Sequence, residues 1–187
     1  MTKRLLDILL SLLLVLIFSV PLVLIALWVK LTSSGSVFYW SERVGRENVI
    51  FRMPKFRTMS AGTPEVATHL LREAEVCFTP GGAFLRKFSL DELPQLFSVL
   101  KGDMSLVGPR PALYNQDDLI ALRTKNNIHW ILPGVTGWAQ IHGRDNVSIP
   151  QKVALDEHYL KHQSIMLDVA ILWQTVFKVA KKEGVAH

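Results

Sequence analysis

Little in this 187-residue chain could cross-link it or build it around a metal. It has one cysteine, Cys77, so no disulfide can form within the chain, and nothing beside it reads as a Cys–His pair. An idle thiol is the expectation there. The six histidines are scattered except for His158 and His162; without an H-E-x-x-H motif that spacing does not make a zinc site. There is no Walker loop, dinucleotide fingerprint, internal repeat or low-complexity tract. Aromatic–basic interleaving of the kind a nucleic-acid platform uses is confined to residues 52–57, so no nucleic acid is expected as partner. The most informative absence is charge: from Ile8 to Val29 no side chain carries any.

Hydrophobic residues make up 49% of the chain and the mean hydropathy is +0.24. Seventeen of the 22 residues from Ile8 to Val29 are Ile, Leu, Val or Phe. Inserting such a run into a bilayer gains roughly 5–10 kcal/mol. It is too long for a signal peptide, Asp7 sits at its edge, and no small-x-small cleavage site follows. Pro21 lies near its middle, where a proline costs about 3 kcal/mol and bends a helix. The insertion gain exceeds that cost, so a bent segment stays in the membrane, and the Ser19 hydroxyl is placed to cover a freed backbone group. Lys3 and Arg4 precede the run, and Lys30, Arg43 and Arg46 follow it. A re-entrant hairpin keeps both basic flanks on the cytoplasmic side. Its first arm, Ile8 to Ser19, would be about 18 Å long. From physics alone a kinked span fits equally well.

Beyond the run the pattern changes. Val37–Trp40 and Val49–Met53 read as strands around a turn near Gly45. Lys55-Phe56-Arg57 places two cations about an aromatic, either a solvated strand end or a phosphate grip. A helix is expected after Thr63-Pro64, then a loop at Thr79–Gly82, then a helix over 112–123. Pro133–Arg144 reads as a glycine-rich loop with a buried tryptophan. Arg144 stands out there, because arginine reads phosphate bidentately. The last helix, about Ser164–Lys182, is apolar on a wide face with Lys178, Lys181 and Lys182 at its end. It either closes the core or lies on a membrane surface, and Asp168 is expected at its polar edge.

The densest stretch runs from Phe88 to Pro111. Leu93, Leu96, Phe97 and Leu100 recur at helical spacing, and Gly102 follows as a C-terminal cap. At the start of this helix Ser89, Asp91 and Glu92 admit two readings. One is a capping box, Ser89-x-x-Glu92, with Asp91 favouring the dipole. The other is a phosphate site with a carboxylate nucleophile and a metal-binding neighbour. Arg86, Lys87, Lys101 and Arg110 surround it in sequence. The net charge of +5 and a pI near 9.5 suit phosphorylated ligands or anionic lipid.

Five blocks stand in one order: Lys55–Met59, Ser89–Gln95, Lys101–Ser105, Gly108–Pro111 and Pro133–Gly137. In that order the chain resembles the bacterial sugar transferases, the monotopic polyprenyl-phosphate phosphoglycosyl transferases, in their small single-catalytic-domain form. The resemblance implies an α+β, mainly α, fold: a membrane anchor over 1–32 with its hinge at Ser19 and Pro21, then a cytoplasmic catalytic domain over 33–187. Interfacial amphipathic helices and a short β-hairpin belong to that picture. It implies that Asp91 attacks the β-phosphate of a UDP-sugar, that UMP leaves, and that polyprenyl phosphate takes the phosphosugar from the aspartate. Glu92 completes the dyad. Magnesium is the implied cofactor, held at Asp91 and Glu92. Lys55, Arg86 and Arg110 look like phosphate contacts, and Arg144 is similar to an arginine near the nucleotide. The family's re-entrant break is commonly a Ser-Pro pair, whereas here Val20 separates Ser19 from Pro21. Implied partners are the UDP-sugar, polyprenyl phosphate, inner-membrane lipid and downstream membrane glycosyltransferases. The implied location is the cytoplasmic face of the bacterial inner membrane. Two other classes share some of these features: a membrane-anchored basic module that binds without catalysis, and a nucleotide-sugar hydrolase.

Overall fold

The computed structural model describes residues 2–60, 62–63, 78–143 and 147–181. The uncharged run forms two helices, α1 (Thr2–Ile17) and α2 (Ser19–Thr32), bent by 62°. The break falls at Phe18, just before Ser19, so Pro21 lies in the first turn of α2. There its missing N–H costs little, because first-turn N–H groups have no helical partner. The Ser19 hydroxyl donates to the Leu16 carbonyl at 2.8 Å and covers one of the open carbonyls that end α1. No single described helix is long and apolar enough to cross a membrane, although the bent pair passes that test together. Leu12, Leu16, Val20, Leu24 and Leu31 point outward, exposed.

The opposite face of α1 is tied to the rest of the chain by its charged first turns. Lys3 donates to Asp168 at 2.6 Å. Arg4 donates to the carbonyls of Val99 and Leu100 at 2.6 and 2.9 Å. Asp7 is buried; it accepts from the Ser105 hydroxyl at 2.9 Å and from the Leu106 N–H at 3.0 Å.

The two expected strands are present and longer than their apolar cores. β1 (Phe38–Val44) and β2 (Ile50–Phe56) pair antiparallel about a 3-10 turn at Arg46–Asn48. Pro54 is tolerated because β2 is an edge strand. Two shorter strands, β3 (Ser105–Val107) and β4 (Ala112–Leu113), belong to two different small sheets. β4 (Ala112–Leu113) pairs with Val44 and Arg43 on the free side of β1. That pairing corrects the helix expected over 112–123: α5 begins only at Asp117 and runs to Lys125. β3 pairs in parallel with β5 (Gly134–Thr136).

The glycine-rich stretch is therefore not a loop but β5 followed by α6 (Trp138–His142). Its glycines permit backbone contact. A methyl group on Gly134 would collide with the Gly108 amide nitrogen, and one on Gly137 with the Gly108 carbonyl. The remaining helices are α3 (Gly82–Lys87), α4 (Gln95–Lys101), α7 (Ile149–His162) and α8 (Ile165–Lys181). Gly102 ends α4 at φ 105°, the left-handed cap its position predicted. The architecture is α+β, mainly α.

The main core gathers Met53, Leu96, Val99, Met104, Val107 and Ile171, with Leu10, Leu14 and Val15 of α1 packed on it. α2 contributes Ile25 and Val29 to a second cluster with Phe56 of β2 and Leu85 of α3. Asp168 is not at a polar edge: it is 1% exposed and accepts from Lys3 and, at 2.6 Å, from the Tyr159 hydroxyl. Met166, Val169 and Trp173 stand exposed on the outer face of α8. The helix expected after Pro64, Cys77, Arg144 and Lys182 lie outside the described residues.

Candidate active site

Asp91 and Glu92 lie in a single 3-10 turn, Leu90–Glu92, that leads into α4. Ser89 precedes it in the left-handed region at φ 55° and makes no side-chain cap. The capping-box reading therefore fails, because the Glu92 carboxylate turns away from the backbone to two cations. Lys55 on β2 donates to Glu92 Oε1 at 2.7 Å. Arg110 donates to the same oxygen at 2.6 Å and to Oε2 at 3.3 Å. Lys55-Phe56-Arg57 divides accordingly. Lys55 reaches the dyad, while Arg57 turns to Ser36, donating to its carbonyl at 2.9 Å.

Burial acts on all three groups. It pushes Glu92 upward, but Arg110 and Lys55 outweigh it and hold the carboxyl well below the usual range. Lys55 is lowered, chiefly by burial, against the opposing charge of Glu92. Asp91 is 5% exposed and raised to about 6 by burial, with Lys55 pulling down and the like charge of Glu92 pushing up. At neutral pH Asp91 is thus still a carboxylate, and a more basic one than an exposed aspartate. Arg86 and Arg110 also favour its charged form.

Arg86 itself donates through Nε to the Thr58 hydroxyl at 3.0 Å and lies over the Phe78 ring. Lys101 belongs elsewhere: it is exposed and pairs with Asp103 at 2.8 Å. Of the residues predicted from sequence, the fold thus brings Asp91, Glu92, Lys55, Arg86 and Arg110 together.

These side chains line one cavity of about 730 Å³. Its polar wall carries Lys55, Arg86, Asp91, Glu92 and Arg110. Its apolar lining includes Leu10 and Leu13 of α1, Phe18 at the break between α1 and α2, and Leu172 and Val176 of α8. One chamber is therefore lined both by cations and carboxylates and by aliphatic side chains.

Asp91 and Glu92 are hard oxygen donors, and no group of three His, Cys, Asp or Glu side chains forms a ligand cluster among the described residues. Two adjacent carboxylates suit magnesium, which is bound through one or two carboxylates while keeping waters and substrate phosphate oxygens. Glu92 would have to yield one cation contact to join it. His158 and His162 belong to no group of three possible ligands among the described residues. They stack on each other with ring centroids 4.2 Å apart, and His158 stacks on Trp138.

Several residues the sequence did not single out support this geometry. Arg43 donates to the Pro111 carbonyl at 3.3 Å. Arg123 on α5 donates to the Arg110 carbonyl at 2.8 Å and to Asp156 on α7. Val153, Asp156 and Tyr159 are all buried on α7 at a spacing of three, which is the signal that could have exposed Asp156 as an interior charge.

The model of the bacterial sugar transferase family matches residues 1–182. A Bacillus subtilis protein named uncharacterized sugar transferase EpsL is 42% identical over 98% of this chain and 89% of its own length. The Salmonella typhimurium undecaprenyl-phosphate galactose phosphotransferase is 38% identical over 97% of this chain and 41% of its own. The Escherichia coli UDP-glucose:undecaprenyl-phosphate glucose-1-phosphate transferase is 37% identical over 94% of this chain. This chain spans 39% of that protein's length, so the longer relatives carry more than half their residues outside the match.

Proposed function

This chain belongs to the bacterial sugar transferase family, and from that premise we propose that it moves a sugar phosphate from a UDP-sugar to polyprenyl phosphate. The observation that carries the reading is a cavity lined by a buried carboxylate, Asp91, by the three cations Lys55, Arg86 and Arg110, and by aliphatic side chains of α1 and α8. The relatives' names specify undecaprenyl phosphate as acceptor and UDP-sugars as donors.

The step is an in-line displacement in two stages. An Asp91 oxygen attacks the β-phosphorus of the donor; the P–O bond to UMP breaks, and its electron pair leaves on the UMP oxygen. A phosphosugar–aspartyl intermediate remains. An oxygen of polyprenyl phosphate then attacks the same phosphorus, and the Asp91–phosphorus bond breaks, restoring the carboxylate. An anion approaching a diphosphate is repelled unless that charge is offset. Lys55, Arg86 and Arg110 supply the offset. Glu92, held ionised by Lys55 and Arg110, keeps both cations fixed before substrate arrives. Magnesium bound at Asp91 and Glu92 would neutralise phosphoryl oxygens.

The acceptor's lipid tail keeps the reaction at a membrane surface. The bent α1–α2 pair enters and leaves one leaflet of the bacterial inner membrane from the cytoplasmic side, hinged about Ser19 and Pro21, and the apolar face of α8 lies along that surface. The product would feed membrane glycosyltransferases that extend the glycan.

UMP release from UDP-sugars, measured with and without polyprenyl phosphate, tests the reading. A transferase turns over only with the lipid. A hydrolase needs none, and a binding module releases no UMP in either case. Labelling of a cysteine placed at the N-terminus tests the anchor: reactivity only from the cytoplasmic side is expected, and reactivity from outside would sink the re-entrant proposal.

A further inference from the structure

The segment that carries Arg110 has an unusual backbone. Pro109 and Pro111 flank Arg110, and neither has an N–H to place in a ladder. The segment is therefore held by its carbonyls, each of which needs a donor from elsewhere. The Pro109 carbonyl accepts from the Gly134 N–H at 2.9 Å. The Pro111 carbonyl accepts from Arg43 at 3.3 Å. The Arg110 carbonyl accepts from Arg123 Nη1 at 2.8 Å.

Arg123 is itself pinned. Its Nε and Nη2 both donate to Asp156 Oδ2, at 3.0 and 2.6 Å, and both side chains are buried, Arg123 at 8% and Asp156 at 1% exposure. The planar guanidinium thus spends one edge on a carboxylate and aims its remaining nitrogen at a single carbonyl. From the other face of the same residue, the Arg110 side chain forks onto Glu92. Arg110 lines the cavity, and its side chain is 41% exposed, so its head is within reach of a bound ligand.

We infer that Arg123, oriented by Asp156, is a positioning residue: by fixing the Arg110 carbonyl it sets where the Arg110 guanidinium stands against Glu92 and the donor's phosphates. Neither Arg123 nor Asp156 needs to touch substrate. The chain of contact runs from α7 through α5 to the proline-flanked loop and ends at the dyad, so two helices remote from Asp91 in sequence determine the cationic wall. A lysine at 123 keeps the charge facing Asp156 but lacks the rigid fork that holds the carboxylate and the carbonyl in one plane. The inference rests on the proposed transferase reading for its ligand.

A double-mutant cycle on the full chain in detergent or bilayer discs tests it. Arg123→Lys should lower kcat/KM for UMP release about tenfold when Arg110 is present, as small misplacements of a binding group do. In an Arg110→Ala background the same change should cost less than about twofold, because its effect passes through the missing side chain. The unfolding midpoint should fall equally in both backgrounds. An equal activity loss in both, or no loss in either, overturns the inference. Asp156→Asn, which keeps Arg123 but loosens its anchor, should repeat the pattern. If both variants yield only aggregated protein, the pair holds the fold rather than the loop and the inference also fails. Reading the same cycle on UDP affinity separates the two claims. A wild-type chain that binds UDP but releases no UMP refutes the transferase reading while the binding cycle still decides on Arg123; a chain that does neither refutes both.

Discussion

Replacing Asp91 by asparagine should make the folded protein more stable while removing its turnover. The side chain is buried, and burial with the neighbouring Glu92 charge holds its acidity at about 6 against an ordinary 3.8. A folded-state value above the unfolded one means that the native state prefers the protonated form. That preference adds stability in full below pH 4 and is lost as pH rises through 6. Above pH 6 the native chain therefore carries an ionised Asp91 at a cost of up to about 3 kcal/mol, the equivalent of the difference between 6 and 3.8. Asparagine has no charge to bury. The shift already includes the attraction to Lys55, so the variant should gain about 1–3 kcal/mol at pH 7, and the gain should close as pH falls toward 4. Denaturant unfolding of both proteins in one detergent, repeated from pH 4 to 8, measures it. UMP release should vanish in the variant, and in the wild type kcat/KM should fall as pH drops below about 6. A variant less stable than wild type at pH 7, or a stability difference that does not change with pH, would refute the electrostatic account of this carboxylate.

Other outcomes follow from the same contacts. Glu92→Gln leaves Lys55 and Arg110 facing a neutral amide, so stability should fall by about 2 kcal/mol in the same unfolding assay, the scale of lost charge-assisted hydrogen bonds. Gly134→Ala drives a methyl into the Gly108 backbone; it should cost about 1–3 kcal/mol or more and cut turnover by displacing the Arg110 loop, read by thermal unfolding and UMP release. Asp168→Asn weakens the contacts to Lys3 and Tyr159 at the base of α1 and should lower the unfolding midpoint. Burial and the bond to Asp168 raise the Tyr159 phenol above its ordinary value, so ultraviolet titration of wild type against Tyr159→Phe should show no ionisation of this residue near pH 10.

The parts of the fold legible in sequence are those whose cause is local. The uncharged run, the two alternating strands and the glycine at 102 each declare themselves within a few residues. The cluster of Lys55, Asp91, Glu92 and Arg110 was visible as types in order, though not as a geometry, since Lys55 and Glu92 are 37 positions apart. What escaped was interior charge. Asp168 was expected at a polar edge, and nothing beside Asp7 or Asp156 in sequence names the partner that makes its burial tolerable: Ser105, Arg123 and Lys3 lie 98, 33 and 165 positions from Asp7, Asp156 and Asp168. β4 escaped for another reason: two residues carry no period, and only the free edge of β1 makes them a strand. Ser89 reads as a cap by type, but its left-handed backbone releases Glu92 to the cations.

The charged foot of α1 carries a practical lesson. It is tempting to treat the greasy leader as packaging and to clip it for a handier, water-soluble preparation. Yet Arg4 closes the tail of the helix whose head presents the reactive acid, and Asp7 holds the adjoining strand by its amide. A trimmed version would lose those struts, and its failure in a test tube would say nothing about whether the chemistry itself requires a bilayer.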